Sequence, residues 1–91
     1  MFYVGRIYAI YERIFEEEKR SINQFEQIIK APDKLLPKLE SMARTYSSYK
    51  KYQSQIVELY SKLNSLPEQY RTQTKLDFVM GYMTQKDTFK N

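Results

Sequence analysis

The sequence predicts an all-α protein, a small bundle of about four helices organised around one long central helix. Apolar residues recur at spacings of three and four nearly end to end, the period of a helix buried along one face. Only two glycines and three prolines punctuate the 91 residues. No Gly/Ser-rich, Pro-rich or repeated tract marks a linker, so residues 1–91 are expected to form a single helical domain. A domain of this length buries roughly 60–65% of the surface its unfolded chain exposes, and its core is correspondingly thin.

The first helix is expected over residues 3–19, where Val4, Ile7, Tyr8, Tyr11, Ile14 and Phe15 make one continuous stripe. Ser21 then offers a new N-cap. With Gln24 three residues on it forms a capping box for a short helix buried through Ile22, Phe25, Ile28 and Ile29. Pro32 ends that helix, because the residue before a proline is steered away from helical geometry. From Leu39 onward, Met42, Tyr46, Tyr49, Gln53, Ile56, Tyr60 and Leu63 alternate by threes and fours with one polar interruption. This predicts a single helix over 34–64, with Asp33 near its N-cap, Pro37 in its first turn and a bend near Ser47 and Ser48 as the alternative. The last helix is expected over 71–86. It carries Leu76, Val79, Met80 and Met83 on one side and Phe78, Tyr82 and Gln85 on the other, so it calls for cover on two faces, from its own bundle or from another subunit.

Gly5 and Gly81 both fall inside predicted helices, where a glycine costs about 1 kcal/mol relative to alanine. A missing Cβ lets two backbones approach closely. The terminal helices are therefore expected to pack on each other at Gly5, Gly81 and the neighbouring Tyr82.

Composition narrows the chemistry. The chain has no cysteine and no histidine, which removes disulfides, thiolate ligands, the commonest general base and the commonest transition-metal ligand. No enzyme activity and no cofactor are expected. The N-terminal run MFYVGRIYAIYERIFEEE is apolar but broken by Arg6, Glu12 and Arg13. It matches neither a signal peptide nor a membrane span, which needs about 20 mostly apolar residues, and the reading is of a soluble, cytoplasmic protein. Glu12 with Glu16, and Glu17 beside Glu18, are carboxylate pairs that share their run with Arg13, Lys19 and Arg20; they read as a solvated helix face.

The net charge is +4 from fifteen Lys/Arg and eleven Asp/Glu, but the two signs are segregated. Residues 12–18 hold four glutamates and one arginine, whereas residues 30–51 hold six bases against Asp33 and Glu40. On the heptad set by Leu39, Tyr46 and Tyr49 fall on the buried seam, with Tyr52 left outside it. Arg44 and Lys51 lie seven apart on the far side, flanked by Lys38 and Lys50. Such a basic face neutralises phosphates without reading sequence; the ordinary alternative is a solvated helix surface. Lys34, Arg71 and Lys75 are further candidates for the same nucleic-acid-binding face. A tyrosine-rich surface that docks a protein without touching nucleic acid is the competing class, and a free-standing helical adaptor is a third.

Three blocks, FYVGRIYAIYERI, APDKLLPKLESMA and FVMGYMTQK, together resemble the C-terminal region of the large subunit of the type I-C CRISPR-Cas surveillance complex, Cascade. The first is similar to that family's Gly-Arg followed by an amphipathic helix. Leu36, Pro37, Lys38 and Leu39 match its helix start, and Phe78, Met80, Gly81, Tyr82, Gln85 and Lys86 match its ending, from which Met83 and Thr84 depart. In that family the region also exists as a separate small subunit translated from an internal start, which Met1 opening on the first block fits. The resemblance implies a non-catalytic helical subunit, present in more than one copy, that lies along the backbone and large subunits. It would steady the guide RNA-target DNA hybrid and the displaced non-target strand, with no membrane partner.

Overall fold

The computed structural model describes residues 1–65 and 75–89. These are helical, with no strand among them: α1 (Phe2–Glu17), α2 (Phe25–Lys30), α3 (Pro32–Ala43), α4 (Tyr49–Ser65) and α5 (Lys75–Thr88). The central element is α1. Nine of its sixteen residues are buried, among them Ala9 and Ile10 outside the predicted stripe. The reason is that α3, α4 and α5 all pack against it while α2 packs on α3. Ile7, Tyr8, Ile10, Tyr11, Ile14 and Phe15 form the middle of a single apolar cluster that also takes in Ile28, Leu39, Ile56, Leu59 and Phe78.

Helices α1 and α5 approach backbone to backbone. A Cβ on Gly5 would lie 2.1 Å from the Phe78 carbonyl oxygen and 2.8 Å from the Tyr82 nitrogen; one on Gly81 would lie 1.9 Å from the Phe2 carbonyl oxygen. Each glycine faces the backbone of the opposite helix, and neither obstacle is a side chain that can swing away. Ala9, one turn beyond Gly5, keeps the same face shallow and is fully buried. The glycine Cα–H groups then lie against carbonyl oxygens, a weak but recurrent helix-helix contact. Around this seam Phe25 meets Phe78 and Tyr82 edge-on at 4.9 and 5.4 Å, and Tyr8 closes the aromatic cluster.

The helix expected over 34–64 is two helices. At a rise of about 1.5 Å per residue a continuous one would run about 46 Å, longer than the 36 Å largest extent of the molecule. Breaking it lets both halves lie on α1. The break spans Arg44–Ser48, where backbone bonds tighten to the i to i+3 pattern, Tyr46 N–H to Ala43 at 3.1 Å and Tyr49 N–H to Tyr46 at 3.1 Å. Hydroxyls offer the backbone this alternative. Thr45 donates to the Met42 carbonyl at 2.7 Å, and the buried Ser48 donates to the Ile14 carbonyl of α1 at 3.3 Å. The seam expectation holds for Leu39, Tyr49 and Ile56, which are buried, and partly for Tyr46, Tyr60 and Leu63; Met42 is exposed.

Two start signals also move. Pro32 occupies the first turn of α3 behind Ala31, whose φ of −145° is non-helical, while Pro37 lies inside the helix rather than in its first turn. Ser21 does not cap α2, which begins at Phe25 behind Gln24 with no side-chain cap. The cause lies just upstream, where α1 ends in a Schellman turn. Lys19 adopts φ +58°, its N–H bonds the Glu16 carbonyl at 2.9 Å and the Arg20 N–H bonds the Phe15 carbonyl at 2.8 Å. Residues 20–24 after that turn are not helical, and Ser21 lies among them.

The last helix is covered on one face only. Phe78, Gly81 and Gln85 are buried against α1, whereas Leu76, Met80 and Met83 are 66%, 54% and 60% exposed and form an open apolar stripe one side of α5.

Gly5→Ala and Gly81→Ala are each expected to lower the unfolding free energy by on the order of 3 kcal/mol, since two backbones must separate to admit a methyl group. Lys19→Gly is expected to raise it by about 1 kcal/mol by relieving a left-handed residue. Urea denaturation followed by far-UV circular dichroism reads both.

Candidate nucleic-acid interface

Three glutamates tie the helices together and engage several of the basic residues. Glu40 of α3 accepts hydrogen bonds from the hydroxyls of Tyr11 and Tyr49, the latter at 2.5 Å, and from Arg44 Nε at 2.7 Å. The Tyr11 hydroxyl also lies 3.1 Å from that of Tyr60. Glu17 of α1 accepts from Tyr52 and, at 2.6 Å, from Lys51 Nζ, with Arg13 3.5 Å away. Glu12 accepts from Tyr82 and, at 3.2 Å, from Lys86 Nζ. Each cluster therefore pairs a half-buried carboxylate with at least one tyrosine from another helix and with one cation, which is remote in sequence for Glu12 and Glu17 and four residues along for Glu40. In two of them the lysine also lies over the tyrosine ring, Lys51 over Tyr52 at 5.7 Å and Lys86 over Tyr82 at 5.5 Å. Glu12 and Glu17 are thus structural acceptors rather than part of a solvated face, while Glu16 is exposed.

These contacts move the titrations in opposite directions. Burial alone would push the Glu40 carboxyl up, but the hydrogen bonds from Tyr11, Tyr49 and Arg44 outweigh it and hold the group below the ordinary glutamate value. Lys51, then Tyr52, hold the Glu17 carboxyl down as well. The phenols move upward. Burial, reinforced by the hydrogen bond to a carboxylate, raises Tyr11, Tyr49, Tyr52 and Tyr82, and burial raises Tyr8 and Tyr60.

The predicted basic face divides accordingly. Lys34 and Lys38 lie on α3 and Lys50 and Lys51 on α4, so the break at 44–48 separates residues that a continuous helix would have aligned. Arg44 and Lys51 point outward, 67% and 63% exposed, yet each is paired with a glutamate. Lys75 is also exposed and pairs with Glu26 at 3.4 Å. Lys34, Lys38 and Lys50 are exposed and make no ion pair among the described residues. Arg71 lies outside the described residues. Gly5, Gly81 and Tyr82 come together at the α1–α5 seam, where Tyr82 is half-buried and bonded to Glu12. The tyrosine hydroxyls had no signal in the apolar periodicity; the i, i+4 pair Glu40 and Arg44 was readable from spacing alone.

Among the described residues no group of three or more acidic, histidine or cysteine side chains is placed to hold a metal ion, and no helix is long and apolar enough to cross a membrane. No family model, curated protein or solved structure matches the chain.

Two limbs of pH dependence are expected. Carboxyls held below the usual value of about 4.3 contribute stability that is complete above that pH and is lost as pH falls through the folded value, so acid unfolding starts below about pH 4.5. Phenols raised above about 10 contribute stability that is complete below pH 10 and is lost above it. Alkaline titration should show tyrosinate absorbance and loss of helical dichroism rising together. Tyr11→Phe, which leaves Glu40 one donor short, is expected to cost about 2 kcal/mol and to shift the acid limb to higher pH.

Proposed function

We propose that the chain is a non-catalytic helical small subunit of a type I-C Cascade complex, acting in the cytoplasm beside the backbone and large subunits. There it steadies the guide RNA-target DNA hybrid and the displaced non-target strand through backbone phosphates. The observation that carries the binding role is the set of exposed lysines, Lys34, Lys38 and Lys50, that no carboxylate neutralises among the described residues. Flexible ammonium groups on a helix surface fit phosphate contact without base readout. Arg44, Lys51 and Lys75 are secondary contributors, since a phosphate must compete with Glu40, Glu17 or Glu26 for them. The net charge of +4 and the three sequence blocks support the same reading.

A second reading, a helical scaffold that docks a protein and does not touch nucleic acid, is favoured by the open stripe of Leu76, Met80 and Met83. Unbranched, polarizable methionines suit a surface that repacks against a partner. The two readings separate on charge. K34A/K38A/K50A is expected to weaken binding to single-stranded and hybrid targets alike and to flatten the salt dependence by about 2–3 in slope, near 0.7–0.9 per lost phosphate contact. Retained affinity and an unchanged slope sink the nucleic-acid role. Met80→Glu tests the scaffold reading, through loss of co-purification with the backbone subunits after nuclease treatment.

A further inference from the structure

A cleft of about 250 Å³ opens where α1, α4 and α5 meet, away from the α3 lysines, with Arg6, Gln55, Glu58, Lys62, Gln85 and Thr88 on its walls. We propose that it is a binding site for a single phosphate group, with the Arg6 guanidinium as its principal ligand. This site stands independently of the lysine surface.

The argument begins with Gln85, a polar side chain that is fully buried. Its Nε2 donates to Gln55 Oε1 and to Thr88 Oγ1, both at 3.1 Å, and its Oε1 accepts from Arg6 Nε at 2.9 Å. An arginine nitrogen only donates, so this contact assigns the amide orientation and leaves Gln85 no freedom to turn. The half-buried Arg6 is thereby held by a neutral partner through one of its five N–H groups. Among the described residues it makes no ion pair. This sets it apart from Arg44, Lys51, Lys75 and Lys86, each of which has a glutamate.

An anchored, planar guanidinium with donors to spare is suited to bidentate recognition of an oxyanion. The surrounding groups agree. Gln55 spends its carbonyl oxygen on Gln85, which frees its amide to donate into the cleft. Lys62 stands on the same flank of α4, seven residues along, and pairs with Glu58 at 3.3 Å. That pair is exposed on both sides, 48% and 65%, and exposed pairs of this kind hold weakly. An arriving phosphate thus takes Lys62 from Glu58, and among the described residues Glu58 is the one acidic group on the cleft wall that opposes it.

The test follows the Arg6 Nε–H and Gln85 side-chain amide resonances by NMR while inorganic phosphate replaces chloride at constant ionic strength. A saturable shift of both is expected, with affinity on the order of millimolar for so small a ligand. Glu58→Gln, an exposed change that leaves the core alone, is expected to tighten binding several-fold, and Arg6→Gln to abolish it with the helical dichroism retained. The site is refuted by the absence of a saturable shift at Arg6, or by an affinity that Glu58→Gln leaves unchanged. A parallel titration with a short oligothymidylate lacking terminal phosphates identifies the source. If it moves the same two resonances, the phosphate belongs to a nucleic-acid backbone; if inorganic phosphate alone moves them, the site takes a free phosphate. Loss of DNA binding in K34A/K38A/K50A with the Arg6 shift intact keeps the two surfaces distinct.

Discussion

The architecture depends on how near the first and last helices come to each other. At Gly5 and Gly81 the separation is set by backbone against backbone, with the Phe78 and Phe2 carbonyls occupying the places where methyl groups would otherwise project. Everything on either side of that seam inherits its spacing. Phe25 reaches Phe78 and Tyr82 edge-on because the two helices are this close, and the same closeness sets Tyr82 and Lys86 on Glu12 and buries Gln85. A thin core gains from such contact, since dispersion falls steeply with a gap of even half an ångström.

Around this seam the chain supplements apolar burial with hydroxyl-to-carboxylate bonds. A tyrosine contributes a large ring to the core and a donor at its rim, and here the rim donors converge on glutamates. Charge-assisted bonds of this kind are shorter and stronger than neutral ones. They also answer an electrostatic problem. Glu16, Glu17 and Glu18 crowd the C-terminal end of α1, where the helix dipole disfavours negative charge. Lys51 and Tyr52 engage Glu17, while Ser47 and Ser48 engage Glu18. The segment that interrupts the α3–α4 run, together with the first turn of α4, thus covers this acidic end.

Much of the fold is legible in residue spacing. The stripe from Val4 to Phe15, the stop at Ala31 before Pro32 and the meeting of the two glycines all follow from local rules applied to few residues. Spacing fails where the deciding contact is remote. Leu39 to Leu63 keep a helical spacing in the sequence through Tyr46 and Tyr49 even though the backbone is not continuous. What breaks the helix is Ser48 meeting Ile14 and Glu18, thirty or more positions away. The basic surface divides in the same way. Lys34, Lys38 and Lys50 are exposed as an outward face requires, but nothing near Lys51 in the chain announces Glu17 as its partner. Arg6 stands out only as a charge within an apolar run; its anchor is Gln85, which lies 79 positions downstream.

The pairing of α1 with α5 has a bearing on how the protein folds. Helix α1, the most deeply buried, takes much of its cover from α5, and Glu12 and Tyr82, which bond across the seam, lie 70 positions apart. Until α5 arrives, Val4, Tyr8 and Ala9 lack that cover, and the long closure that joins the two helices is slow compared with local coil-to-helix steps. During that interval the segment is vulnerable to aggregation and is a natural client for chaperones.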